Sequence, residues 1–173
     1  MKKIVCLFIG VFTCVQLFAQ GVGFKSISLK EALEQAKAQG KMVFVDCYTT
    51  WCGPCKMMAE QVFPQKEAGD FFNTHFVNVK FDMEKGEGKE LSTRFKIRAY
   101  PTFLLLEPDG TERYRIVGGG ELEEFIERVS RGLQEKNSLP VLDKEYTTGK
   151  MSKRRMLDLV MTLQDAYDAD RLK

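Results

Sequence analysis

An α/β body followed by a C-terminal helical extension is the fold class predicted by three observations. Short apolar runs of strand length, at 42–47, 76–82 and 102–106, alternate with segments whose apolar residues recur at helical spacing. These segments come in the order βαβ and then ββα, which suits one sheet covered by helices. Beyond residue 134 the strand signal stops and two helical patterns follow. The chain therefore divides into residues 1–20, a body at 21–134 and an extension at 135–173.

Taken in order, Ser28-Leu29-Lys30-Glu31 is a capping box, with Ser28 at the N-cap and Glu31 at the third helical position. Leu29, Ala32, Leu33 and Ala36 line one face of that helix, and Gly40 stops it. Met42 to Cys47 reads as a buried central strand, and Lys56 to Val62 as a run of good helix formers ended by Pro64. A short helix follows at Gln65 to Asn73 with Phe71 and Phe72 inward, then a strand at Phe76 to Asp82. Met83 to Lys89, with Gly86 and Gly88, reads as a solvated charged loop before a short helix at Glu90 to Phe95. Thr102 to Leu106 is a strongly apolar strand, Pro108-Asp109-Gly110 a turn, and Arg113 to Val117 an edge strand that pairs back.

Gly118 to Gly120 lead into a helix at Glu121 to Arg131, closed by Gly132. In the extension, helices at Pro140 to Thr148 and Ser152 to Leu172 flank Gly149. Met156, Leu157, Leu159, Val160, Leu163, Ala166 and Tyr167 form the apolar face of the second. Such a hairpin packs on the α/β body, binds a partner, or begins a larger unit.

A length of 173 residues and 44% hydrophobic content supply one domain with a real core. The net charge of +2 is nearly balanced and basic residues are not clustered, which argues against a nucleic-acid partner. Residues 1–20 read as an export signal: Lys2 and Lys3 precede an apolar stretch from Ile4 to Phe18, and cleavage is expected after Ala19, although Leu17 departs from the usual small residue. An uncleaved anchor is the alternative. Phe12 and Thr13 count against a lipoprotein site at Cys14. Of five cysteines, Cys6 and Cys14 leave with the signal, and Cys47, Cys52 and Cys55 remain. Cys47 lies in the apolar strand facing away from Asp46 and reads as a small buried hydrophobe.

The chemistry is concentrated in Trp51-Cys52-Gly53-Pro54-Cys55-Lys56, where a strand turns into a helix. Cys52 falls at or near the helix N-cap, where free N–H groups and the helix dipole favour a thiolate. A disulfide across two intervening residues closes only a tiny loop, which makes it a poor staple and a candidate redox centre. The hexapeptide, Asp46 six residues before Cys52, and Ala99-Tyr100-Pro101-Thr102 together resemble the thioredoxin superfamily, over roughly Ser28 to Leu133. The entry to the central strand, Ala36 to Lys41, resembles exported bacterial members.

The resemblance implies the thioredoxin fold, a central mixed sheet flanked by helices, and a dithiol–disulfide site. Cys52, the more exposed sulfur in this motif, is implied as nucleophile and Cys55 as resolving thiol. Asp46 is implied as a buried acid/base for Cys55; read alone, it is an Asp that hydrogen-bonds the backbone. The family's lysine partner for that carboxylate falls on Asn78 when counted back from Asp82, with Lys80 two residues on. Pro101 is implied to follow a cis bond after Tyr100, beside the substrate. Tyr100 departs from the usual Ile and is similar to protein disulfide isomerases. Trp51 shields the site or merely packs, and Gly118 flanks the substrate groove or merely turns the chain. Lys56 is a solvated helix residue, and His75 a strand-edge residue rather than a ligand.

The implied activity is reduction of protein disulfides outside the cytoplasm, in the periplasm. Disulfide-bearing proteins are then the substrates, a membrane thiol reductase the electron donor, and no cofactor is needed. An isomerase or oxidase on the same fold is one alternative. A binding module or copper(I) chaperone is another, since two thiolates suit copper(I), whereas zinc wants four ligands that the sequence does not offer.

Overall fold

The computed structural model describes residues 21–167, so the expected export signal and the end expected for the second extension helix, at Leu172, lie outside the described residues. Five strands form one mixed sheet in the order β1-β3-β2-β4-β5. They are β1 (Phe24–Lys25), β2 (Met42–Tyr48), β3 (Phe76–Asp82), β4 (Thr102–Leu106) and β5 (Glu112–Val117). β2 runs parallel to β3 and antiparallel to β4, with Asp46 opposite Lys80 on one side and Phe103 on the other. The α-helices among the described residues are α1 (Leu29–Gln39), α2 (Gly53–Met57), α3 (Lys66–His75), α4 (Gly86–Arg94), α5 (Leu122–Leu133), α6 (Leu139–Thr147) and α7 (Lys153–Asp165).

Strand alternation sorts the core into two layers. Val43, Val45 and Cys47 of β2 face α1 and α4, meeting Leu29, Ala32, Ala36 and Leu91. Phe44 faces the other way, into an aromatic cluster with Phe63, Phe72, Phe103 and Phe125 beneath α3 and α5. Ring centroids there lie 4.6–6.4 Å apart, the range in which aromatic pairs add to simple burial. The capping box of α1 forms as read: Ser28 Oγ accepts from Glu31 N at 3.2 Å, and Ser28 N donates to Glu31 Oε2 at 2.9 Å.

Four features depart from the sequence reading. β1 was absent from it, because two residues carry no periodicity; Gly23 N donating to Asn73 Oδ1 at 2.8 Å helps hold the segment against the sheet. α4 begins at Gly86, inside the expected loop. Gly88 lets its first turn abut the end of β3, since a Cβ there would stand 2.0 Å from Asp82 O. α5 runs through Gly132 to Leu133 rather than stopping before it. In α7, Leu159 and Leu163 are buried but Leu157 is 63% exposed, and Tyr167, expected on the same face, lies past the helix end and is 76% exposed, so the contact face is narrower than the apolar pattern. Polar residues Thr162 and Asp165 complete it.

Gly132 is needed where it is because Tyr114 of β5 lies against it; a Cβ would sit 2.7–2.8 Å from the first ring atoms. Gly132→Ala should therefore overpack, at a cost of about 1–3 kcal/mol, of which better helix propensity offsets only ~1 kcal/mol. A lower denaturant midpoint with an unchanged slope is the expected result; an equal or higher midpoint would show that Tyr114 can move aside.

The extension packs on the body. Tyr114 Oη donates to Asp165 Oδ2 at 2.7 Å, and burial followed by the Asp165 charge pushes the phenol up to about 12, so it stays a donor. Arg155 of α7 ties the hairpin together, donating to Glu145 of α6 and to Asn137 Oδ1 in the preceding turn. Among the described residues no helix is long and apolar enough to cross a membrane.

Candidate redox site

The end of β2 delivers the chain to Thr49, Thr50 and Trp51, and α2 begins directly after Cys52. Cys52 is the N-cap, with extended backbone, and Pro54 lies in the first turn, where its missing N–H costs nothing. Cys52 and Cys55 are joined as a disulfide, with Cα atoms 5.3 Å apart. The Cys55 N–H points at Cys52 Sγ at 3.1 Å, so a helix-end donor is already aimed at that sulfur. Exposure does not separate the two cysteines, at 5% and 6%. The expectation of a more exposed Cys52 is corrected: in the disulfide form it is the N-cap position, not accessibility, that distinguishes it.

After α2 the helix widens into one π turn, Met58–Val62, with Phe63 N donating to Met58 O five residues back. Such widened turns recur near functional sites. Here the turn places Met58 in the core and Ala59 on a cleft of about 200 Å³ lined also by Asp46, Tyr48, Thr49, Cys52, Cys55 and Lys80.

Asp46 is buried in β2, and its Oδ1 has no hydrogen-bond partner among the described residues. Burial pushes the carboxyl up to about 7, against the opposing pull of the Lys80 charge. Lys80 is thus the cation paired with Asp46 across β2 and β3, and the assignment to Asn78 is corrected. Asn78 stands opposite Phe44, and its Nδ2 donates to Asn73 Oδ1 at 3.0 Å; Asn73 in turn holds Gly21 and Gly23. A usable signal existed: both strands start on an apolar residue, Met42 and Phe76, and Asp46 and Lys80 share the same offset from it. Thr49, not singled out from sequence, is also buried with an unpartnered hydroxyl on the same cleft. Cys47 faces the opposite layer, its thiol pushed up by burial and then by the nearby Asp46 charge.

Around the disulfide, Trp51 is 67% exposed rather than packed in the core. Its Nε1 donates to Glu84 Oε1 at 3.0 Å, and its ring meets Tyr100 edge-on with centroids 5.8 Å apart. The Tyr100–Pro101 peptide is cis. Gly118 N donates to Pro101 O at 2.8 Å, which brings the glycine loop beside the proline. The structure thus gathers Asp46, Cys52 and Cys55 on one cleft, with Trp51 edge-on to Tyr100 and Gly118 tied to Pro101. Lys56 is exposed and pairs loosely with Glu60. His75 ends α3, not a strand, with Nδ1 2.9 Å from Phe71 O. Among the described residues no cluster of three or more His, Cys, Asp or Glu is arranged to hold a metal ion.

Residues 29–132 match the family described as Thioredoxin-like domain. The chain is 34% identical over 103 residues to the thiol:disulfide interchange protein DsbD of Pseudomonas fluorescens, a stretch that covers 58% of this chain and only 18% of that protein. It is 38% identical over 90 residues to thioredoxin Asp f 28 of Aspergillus fumigatus, covering 51% of this chain and 78% of the relative. In three dimensions it is similar to a Bacteroides thetaiotaomicron protein provisionally assigned as a disulphide-isomerase. That solution structure shows 45% identity and a TM-score of 0.62, covering 68% of this chain and 97% of the other.

Proposed function

This chain belongs to the thioredoxin-like domain family, and from that premise we propose that Cys52 and Cys55 reduce protein disulfides by dithiol–disulfide exchange outside the cytoplasm. The observation that carries the proposal is the Cys52–Cys55 pair at a helix start, with Cys55 N–H aimed at Cys52 Sγ and Asp46 on the same cleft.

In the reduced protein the Cys52 thiolate attacks one sulfur of a substrate disulfide. A Cys52–substrate bond forms, and the other substrate sulfur leaves as a thiolate. Cys55 then gives its proton to ionised Asp46 and attacks Cys52 Sγ; the mixed disulfide breaks and the second substrate thiolate leaves. A carboxyl titrating at about 7 can both accept and return that proton near neutrality. The Cys52–Cys55 bond left at the end is the form seen in the structure. Tyr100, Pro101, Gly118 and Trp51 frame the face on which an extended substrate lies.

The export signal read in residues 1–20 supports a periplasmic setting, and each turnover there needs two electrons. A membrane thiol reductase is the proposed donor. The Gly-Pro pair between the cysteines supports the reducing direction. Equilibration of the mature protein in graded glutathione or dithiothreitol buffers should place the pair at or below roughly −250 mV, near thioredoxin. A midpoint of roughly −120 to −180 mV would overturn the reductant reading. It would favour isomerisation, the second reading, which the assignment of the Bacteroides relative and Tyr100 support.

A further inference from the structure

We propose that Arg128, oriented by Asp165 of the C-terminal extension, is a positioning residue for the glycine loop beside the redox pair. This rests on reading Cys52 and Cys55 as the exchange pair, and it makes α7 part of the support for the substrate face.

The need for such a support arises where β5 ends. β5 ends at Val117 and the backbone turns at Gly118, with φ +82°, so the carbonyls of Val117 and Gly119 stand at and beyond the end of the β4–β5 ladder. Arg128 of α5 answers both: Nη2 donates to Val117 O at 2.9 Å, and Nη1 reaches Gly119 O at 3.5 Å. Between those two carbonyls, Gly118 N donates to Pro101 O at 2.8 Å. One guanidinium therefore brackets the residue that is tied to the proline loop. Gly119 also lies against the helix that carries the cysteines, where a Cβ would stand 2.7 Å from Met58 Sδ. A displaced loop would meet Pro101 on one side and Met58 on the other.

Arg128 is itself held from outside the α/β body. Its Nε donates to Asp165 Oδ1 at 2.8 Å, and the two side chains are only 12% and 7% exposed. Asp165 Oδ2 accepts from Tyr114 Oη at 2.7 Å and from Arg131 Nη2 at 2.9 Å and Nε at 3.2 Å. With donors on both oxygens, the carboxylate has little freedom to rotate, and it fixes the plane of the Arg128 fork. A lysine could keep the charge but could not span Asp165 and two carbonyls at once. Arg131 shares the same carboxylate, yet its guanidinium reaches neither loop carbonyl.

That difference supplies the test. Arg128→Gln and Arg131→Gln each remove one cation from Asp165, and only the first frees the loop. In the full-length oxidised protein, amide exchange at Gly118 should accelerate about tenfold in Arg128→Gln and stay unchanged in Arg131→Gln. KM for a protein disulfide should rise several-fold in Arg128→Gln alone, with kcat for a small aromatic disulfide unaltered in both. If Arg128→Gln does not fold, Arg128→Lys keeps the ion pair and should still release the loop. Equal effects in the two variants, or no change at Gly118, would overturn the proposal and leave Arg128 a purely structural ion-pair residue. Should the wild-type protein exchange no disulfides, the functional reading fails, while Gly118 exchange still decides the role of Arg128.

Discussion

Cys52→Ser is expected to abolish disulfide turnover, whereas Cys55→Ser is expected to stall it as a covalent complex with substrate. The asymmetry follows from position. Cys52 is the N-cap, and the Cys55 N–H is aimed at its sulfur, so a thiolate there gains a hydrogen bond and the favourable end of the helix dipole. A serine hydroxyl at that place is neither ionised near neutrality nor able to form the mixed disulfide. The loss in kcat/KM should be on the order of 10³-fold or more, equivalent to ~4 kcal/mol of transition-state stabilisation. In Cys55→Ser the first attack is intact and the second is missing, so a Cys52–substrate disulfide accumulates. Non-reducing electrophoresis with mass spectrometry reads both outcomes, and the trapped species identifies the physiological substrate. Trapping by Cys52→Ser instead of Cys55→Ser would reverse the assigned roles.

Signals local to a few residues were legible in the sequence, and contacts between distant elements were not. Cysteine spacing, the capping box at Ser28 and the apolar runs of β2, β3 and β4 are local signals, and each marks its element within a residue or so. What was illegible depends on register or on distant contacts. Asn78 and Lys80 point to the same side of β3, and only the pairing of Met42 with Phe76 decides which faces Asp46. Gly88 and Gly132 look like helix breakers in sequence. In the fold both are points where a helix meets another element too closely for a side chain. The role of Asp165 could not be read at all, because its partners Tyr114, Arg128 and Arg131 lie 34–51 residues away.

Asp46→Asn should make the protein more stable at alkaline pH while slowing its chemistry. Burial pushes the Asp46 carboxyl up to about 7, with the Lys80 charge only partly opposing. An unfolded chain ionises the same group near 3.9. Below that value the carboxyl is neutral in both states and carries no penalty. Between pH 4 and 7 the unfolded state releases its proton and the folded state keeps it, so wild-type stability falls as pH rises. Above pH 7 the loss levels off at roughly 4 kcal/mol. Asparagine has the same shape and no charge to bury, although the position of Oδ1 offers no hydrogen-bond partner among the described residues to an amide either, which removes part of the gain. Denaturant unfolding of the oxidised proteins should show a stability difference of roughly 2–4 kcal/mol at pH 9, shrinking toward zero near pH 4. Burial and then the Asp46 charge push the Cys47 thiol well up, so it lowers stability only above the unfolded thiol value of about 8.5, and it does so in both proteins and largely drops out of their difference. The same substitution removes the proton acceptor proposed for Cys55, so resolution of the mixed disulfide at pH 7 should slow by about 10²-fold. Parallel pH–stability curves for the two proteins would show that Asp46 titrates no differently once folded, and the acid/base role would fall with it.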